Sequence, residues 1–186
     1  MAENLKHLGL GVTVVEMLPQ VMPPMDPEMM TPVHDYLTAK GIKLALGTAV
    51  TGFAESDGHL EVLTKDGPAH PADIVILAIG VRPETTLAKA AGLTLGERGG
   101  IRVDEQMRTT DPDIFAVGDA VEVRDRVTGA WTLLALAGPA NRQGRIAADA
   151  ICGLPAAFHG TQGTAICGIF DLAVASTGAS EKLLLR

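Results

Sequence analysis

The sequence predicts an α/β protein in which helices cover parallel strands. Of its 186 residues 47% are apolar but only 3% aromatic, and alanine, glycine, valine and leucine are abundant. This composition is typical of parallel sheets that are covered on both faces. Two short apolar segments, 11–16 and 73–79, have the length of strands, while 27–40 and 141–151 have the periodicity of helices.

The first part of the chain alternates helix and strand signals, bounded by residues that start or stop regular structure. Asp26 is a good N-cap and Pro27 suits the first helical position, so a helix is expected until Gly41 stops it. Ser56-Asp57-Gly58 forms a turn between alternating segments, which predicts a hairpin. In chain order we also expect a helix end over 1–8 capped by Gly9, strands over 11–16 and 43–46, the hairpin over 53–66 and an apolar strand over 73–79.

Beyond residue 82 short elements are separated by glycine-rich connections. A turn-rich lead-in, 110–113, precedes the apolar segment 114–117, which is expected to be a strand and is followed by Gly118-Asp119. The remaining expected elements are a helix over 84–91, a strand over 101–103, a helix over 141–151, a linker over 155–163 and strands from 165 to 175.

Charge and composition exclude several classes of function. A net charge of -7 without a basic run argues against nucleic-acid binding. No apolar stretch has the length needed to cross a bilayer, and no secretion signal is visible at the amino terminus. Cys152 and Cys167 lack nearby ligand partners, so we expect both to be small buried side chains in a reduced, cytoplasmic protein. The five histidines show no metal-ligand spacing, and no metal site is expected.

The most informative stretch is T-T-D-P-D-I-F-A-V-G-D-A, residues 109–120. The glycine permits close approach to the backbone, and the carboxylate can accept hydrogen bonds from sugar-like hydroxyls at the carboxyl end of a strand, where open α/β sheets bind ligands. The stretch resembles the second flavin-binding motif of the FAD- and NAD(P)-dependent disulfide reductases, where the aspartate holds the ribityl chain of FAD. The resemblance implies that Asp119 binds FAD.

The resemblance covers nearly the whole chain. Segments 11–19, 73–83 and 136–145 are similar to the same family, and 160–165 with 170–178 resemble its CoA-disulfide reductase, NADH oxidase and NADH peroxidase branch. It implies partial Rossmann-like, three-layer FAD/NAD(P)-binding modules and the start of an α+β dimerisation domain. The implied domains are an NAD(P)-binding module over 1–82, the second segment of a FAD-binding module over 83–156 and the beginning of the dimerisation domain over 157–186.

The resemblance also implies which residues bind the cofactors. Glu16 ends a strand where a carboxylate accepts from both ribose hydroxyls of adenosine and repels a 2′-phosphate, so NADH is expected in preference to NADPH. Gly80 follows a strand where a side chain would crowd the nicotinamide, and Met25 lies in a connection near the adenine. The stretch under the flavin ring supplies backbone N–H groups and a helix start that stabilise negative charge on the reduced flavin. That stretch is Ala135, Leu136 and Ala137.

The family reaction transfers a hydride from NADH to FAD and then reduces a small disulfide, persulfide, peroxide or oxygen through a cysteine. The stretch 22–29 is similar to CoA-disulfide or CoA-persulfide reductases. The two glycine-rich nucleotide-binding turns and the redox-active cysteine of the family are absent from this sequence, so no catalytic residue is assigned.

Two functions therefore stay open. The chain is expected to resemble an internal part of such an enzyme and to be inactive by itself. The alternative is a non-catalytic nucleotide-binding or self-associating module, which would fill missing sheet edges as a homo-oligomer.

Overall fold

The computed structural model describes residues 1–56 and 58–185, and its mixed helices and strands confirm the α/β class. No helix within these ranges is long and apolar enough to cross a membrane. The domain boundaries at 82 and 156 stay a prediction. By packing, the chain forms two compact units: unit 1 holds 1–79, 167–174 and the chain from Ser180 onward, and unit 2 holds 80–166 and 175–179.

Unit 1 begins with a parallel pair of strands joined by a helix, as the sequence predicts. The helix starts at Pro27 and ends before Gly41, whose φ of +77° is left-handed and therefore stops the helix. The two strands pair in parallel with Val12 opposite Ile42. The elements are α1 (Ala2–His7), β1 (Val12–Val15), α2 (Pro27–Ala39) and β2 (Ile42–Ala45).

The core of unit 1 lies between α2 and β2. Met30, Val33 and Leu37 follow each other at helical spacing and are buried, as is Ile42 at the start of β2. This burial fixes α2 against the sheet and so sets the position of the end of β1.

An antiparallel sheet follows in unit 1. The predicted hairpin is confirmed, because Ser56 and His59 are opposite each other at its turn; Asp57, in that turn, lies outside the described residues. A third strand, which the sequence did not predict, pairs antiparallel with the second strand of the hairpin. The sheet contains β3 (Val50–Ser56), β4 (His59–Thr64) and β5 (His70–Ala72) in that order.

The predicted strand over 73–79 is wrong. This segment has no regular secondary structure, and Ile74, Leu77 and Ile79 are 75%, 65% and 90% exposed. A wholly apolar strand is stable when neighbouring strands take up its backbone hydrogen bonds and both sheet faces are covered. Among the described residues no strand pairs with 73–79, so the pattern lacks the neighbours that would make it a strand.

Unit 2 is built around a three-stranded sheet and one long helix. The central strand pairs in parallel with the first strand and antiparallel with the third. Helix and sheet share a buried core that includes Val103, Met107, Val121, Val123 and Ala147. The elements are α3 (Thr86–Ala90), β6 (Ile101–Arg102), β7 (Val121–Arg124), β8 (Trp131–Leu133) and α4 (Ala137–Ile151), which begins four residues before the predicted 141.

The strand predicted over 114–117 is also wrong. It is reduced to a single bridge between Phe115 and Arg108, and the guanidinium of Arg108 lies 4.9 Å from the Phe115 ring centroid. Val117 is partly exposed, because the described part of the chain supplies no neighbouring strand for an extended ladder here.

The last strands form a hairpin, β9 (Ala165–Ile169) and β10 (Leu172–Ser176), followed by α5 (Glu181–Leu184). Within unit 1 the hairpin tip packs on the α2 core and Asp171 forms an ion pair with Lys40 at 3.2 Å. Asp26 occupies the N-cap position of α2, as predicted, but its carboxylate makes no bond there. It accepts instead from the backbone N–H groups of Glu181 and Lys182, at 3.1 and 2.9 Å, and so caps α5.

Candidate functional site

A short 3₁₀ turn, Gly118–Ala120, carries Asp119 immediately before β7. Gly118 has a φ of +85°, a conformation that side chains rarely adopt, so glycine is required here by the backbone. Asp119 is exposed, and its carboxylate is accessible to a ligand. The turn packs on α4, which brings Asp119 to the helix whose start carries the other predicted flavin residues.

Helix α4 begins with backbone groups that can face a ligand. Leu136 holds the N-cap position without a side-chain bond, and the first turn contains no acidic residue. The start of a 15-residue helix therefore keeps unsatisfied N–H groups and a partial positive charge. The N–H of Leu136 donates to the carbonyl of Leu134 at 2.9 Å, which leaves the exposed Ala135 and Ala137 as the better candidates to bind a flavin edge.

An open groove of ≈ 540 Å³ lies between the turn and the part of α4 from Ala140 to Ala148. Four of its seven lining residues are glycine or alanine, which permit close approach of a ligand or a backbone. Asn141 and Arg145 add polar groups on the helix side. The full lining is Val117, Gly118, Ala140, Asn141, Gly144, Arg145 and Ala148.

Two buried polar residues, neither of which the sequence predicts, lie near the turn in the chain or in space, and one of them bonds to it directly. Gln143, on α4, accepts a hydrogen bond from the backbone N–H of Gly118 at 2.8 Å. Glu122, on β7, is fully buried and accepts from the N–H groups of Arg98 and Gly100 at 2.7 and 3.2 Å. The burial of Gln143 could have been predicted from its position in the helix, because it lies four residues before Ala147 and so on the same face.

The buried Glu122 carboxylate belongs to a charged network on the sheet of unit 2. Its second oxygen lies 3.4 Å from the guanidinium of Arg102. Arg102 and Arg124 both stack on Trp131, with guanidinium carbons 3.9 and 4.2 Å from the ring centroid. The network ties β6, β7 and β8 together directly after the Asp119 turn.

Glu16 and Met25, predicted to bind the adenosine half of NAD(P)H, lie in unit 1. Glu16 follows β1, and one of its carboxylate oxygens accepts from the N–H of Leu18 at 2.8 Å, which orients the side chain at the strand end. Met25 is half-buried against the α2 core, so part of its side chain serves packing. Gly80 lies at the start of unit 2, is exposed and has a φ of +95°; a Cβ there would meet no other atom within 4 Å. Its backbone conformation, more than local crowding, therefore favours glycine.

The expectation that both cysteines are buried is wrong. Cys152 and Cys167 are exposed free thiols. Cys152 follows the last residue of α4, and Cys167 is the middle residue of β9, where it and both of its neighbours are exposed, so an apolar sequence context did not determine burial.

Unit 1 contains a strand–helix–strand unit with an acid at a strand end, and unit 2 contains a Gly-Asp turn packed on a long helix; both are features of α/β dinucleotide-binding proteins. Residues 1–144 match the model of the pyridine nucleotide-disulphide oxidoreductase family. The chain belongs to this family, whose cofactors are FAD and NAD(P)H.

Similar proteins belong to the NADH oxidase and CoA-disulfide reductase branch of the family, as the sequence resemblance implies. The NADH oxidase of Methanocaldococcus jannaschii is 42% identical over 179 residues, 96% of this chain and 40% of that protein. The crystal structure of reduced Bacillus anthracis CoADR-RHD is 49% identical with a TM-score of 0.95, covering 100% of this chain and 33% of that chain. The structure of an NAD-dependent persulfide reductase from A. fulgidus is 40% identical with a TM-score of 0.95, and the match covers 99% of this chain and 34% of that chain. The chain thus spans two fifths or less of the length of these proteins.

Proposed function

We propose that this chain supplies the nicotinamide-binding part and the second flavin-binding part of an enzyme that passes a hydride from NADH to FAD and then reduces a small disulfide, persulfide, peroxide or oxygen. The observation that carries the proposal is the exposed Asp119 on a glycine-dependent turn that packs on α4, a helix whose N-cap residue makes no side-chain bond. NADH oxidase and persulfide reductase activities in the similar proteins support the range of acceptors.

The residues of unit 2 fit a flavin. An exposed carboxylate suits the hydroxyl groups of a ribityl chain, and the free N–H groups at the α4 start suit an electron-rich ring edge. Asp119, Ala135 and Ala137 would hold the cofactor, and bound FAD supplies the two-electron acceptor for NADH. The chain itself contributes orientation and charge stabilisation, and we assign it no catalytic residue.

Absorbance spectroscopy tests the flavin proposal. We expect the purified chain to bind added FAD weakly at equilibrium and to lose it on desalting, because the glycine-rich turns of the family are absent from this sequence. Asp119→Ala should raise the dissociation constant for FAD by about tenfold, since it removes a charged acceptor of hydroxyl groups. An unchanged affinity in Asp119→Ala would contradict the proposed site. A flavin band that survives desalting would show that the chain completes the site by itself and would call for an assay of NADH oxidation.

Glu16 is proposed to select NADH. Glu16→Ala should weaken NADH binding by about tenfold or more and improve NADPH relative to NADH, because the carboxylate accepts from ribose hydroxyls and repels a 2′-phosphate. Calorimetric titration with both nucleotides measures the two constants. Asp35→Ala, an exposed acid on α2, is the matched control and should bind both nucleotides as the unaltered chain does. Equal losses for NADH and NADPH in Glu16→Ala would remove the selectivity role.

A second candidate function is a self-associating, non-catalytic module. The apolar segment 73–79, exposed and without a strand partner among the described residues, favours it. Such a segment can add a strand to another chain. This candidate predicts association without flavin-dependent NADH oxidation.

A further inference from the structure

Gln143 is a polar residue at a position where α4 buries its apolar face. It is 2% exposed and shares that face with the buried Ala147 and Ala150. Glutamine is seldom fully buried, because its carboxamide loses hydrogen bonds to water unless the protein replaces them. Here the replacement is specific, since the side-chain oxygen accepts from the backbone N–H of Gly118 at 2.8 Å.

The bond holds the first residue of the turn that carries Asp119. A three-residue 3₁₀ turn has little stability of its own, and its first N–H groups lack partners within the turn. Val117, at the N-cap position, has an apolar side chain that cannot accept from them. Gln143, on α4, supplies the missing acceptor. The residue it binds is Gly118, whose φ of +85° sets the direction of the backbone through the turn.

The structure thus shows a specific bond between the long helix and the backbone N–H of Gly118, the residue that precedes Asp119. We infer that Gln143 is the positioning residue of the Asp119 site: it fixes the Gly118–Asp119 backbone so that the carboxylate is presented in one orientation. The inference rests on the proposed function, in which Asp119 binds the flavin. Gln143 acts through Gly118 and is not assigned any contact with the cofactor.

Methionine and glutamate separate the hydrogen bond from the packing. Both have a length and helix propensity close to those of glutamine, so α4 should remain intact. Gln143→Met removes the strong acceptor, whereas Gln143→Glu keeps a carboxyl oxygen that accepts in either protonation state. Gln20→Met is the matched control, because Gln20 is a second buried glutamine whose side chain donates to the Met25 carbonyl at 3.0 Å in unit 1.

Residue-resolved amide hydrogen exchange on the full chain tests the bond. We expect the Gly118 amide to exchange about tenfold faster in Gln143→Met and close to the unaltered rate in Gln143→Glu and Gln20→Met. Unchanged exchange in Gln143→Met would overturn the inference. So would an equal increase in Gln143→Glu or Gln20→Met, since that would indicate general loosening.

Equilibrium titration with FAD, with Asp119→Ala as the reference, distinguishes the inference from the function on which it rests. The dissociation constant should rise about tenfold in both Asp119→Ala and Gln143→Met, and Gln143→Glu should restore it. If Asp119→Ala weakens FAD binding but Gln143→Met does not, the positioning role is overturned and the flavin site stands. If Asp119→Ala has no effect, or if the chain binds no FAD, the proposed function fails, and the exchange of the Gly118 amide alone decides whether Gln143 fixes the turn.

Discussion

Replacing Glu122 by alanine should lower the free energy of unfolding of unit 2 by about 3 kcal/mol. The carboxylate is 0% exposed, and its removal leaves the guanidinium of Arg102 without its partner and the N–H groups of Arg98 and Gly100 without their acceptor. Trp131 is the single tryptophan and stacks under Arg102, so its fluorescence during urea denaturation reports on this unit directly.

Glu97→Ala is the control for this prediction. Glu97 lies in the loop 96–100, next to the Arg98 that binds Glu122, but its own side chain is exposed. Its loss should therefore change the midpoint of denaturation little. The midpoint of Glu122→Gln should lie between those of Glu122→Ala and Glu97→Ala. Its amide oxygen still accepts from the backbone, but the charge that pairs with Arg102 is gone. Equal midpoints for Glu122→Ala and Glu97→Ala would show that the network contributes nothing to stability.

A double-mutant cycle tests the packing of the loop on the carboxylate. A Cβ built on Gly96 overlaps the carboxylate of Glu122, and Gly96 does not need a left-handed φ, so the cost of alanine there is steric alone. Gly96→Ala should therefore destabilise the unaltered chain and be tolerated in the Glu122→Ala background. The coupling between the two changes isolates the contact, whereas simple additivity would refute it.

Residues with local signals made much of this fold predictable. Pro27 starts α2 because its ring fixes a helical φ, and Gly41 follows its end because glycine permits a left-handed φ. The turn before His59 sets the register of its hairpin. The segments 73–79 and 114–117 were predicted as strands because their composition is strand-like, yet a strand also needs partners, and composition does not provide them.

Part of the candidate site, but not its buried support, was predictable from the sequence. The Gly118-Asp119 pair has a recognisable sequence, and the family that it indicates is confirmed by the comparisons. Gln143 and Glu122 have no recognisable sequence motif, because their roles depend on which element of the fold covers them. Alternation along β7 would assign Glu122 to the solvent face, opposite Val121 and Val123, but the loop 96–100 covers that face and makes the carboxylate a buried acceptor.

Under the second candidate function, in which the chain self-associates through 73–79, replacing Leu77 and Ile79 together by lysine should weaken that association strongly. The two residues are 65% and 90% exposed, lie two positions apart in the apolar run that follows Asp73 and would share one face of an added strand. Burying them in a second copy contributes about 2 kcal/mol each, and buried lysines would oppose association further, so the dissociation constant should rise at least about a hundredfold. Sedimentation velocity over a range of concentrations measures this change.

Leu87→Lys provides the matched control, because Leu87 is 83% exposed but lies on α3, outside the segment. It should associate as the unaltered chain does. A monomeric unaltered chain, or a double variant that still associates, would exclude the segment as the contact. The same variants also separate the two candidate functions: FAD binding that disappears together with association would mean that the flavin site is completed by a second copy, whereas FAD binding retained in the monomer would mean that Asp119 and α4 bind the cofactor within one chain.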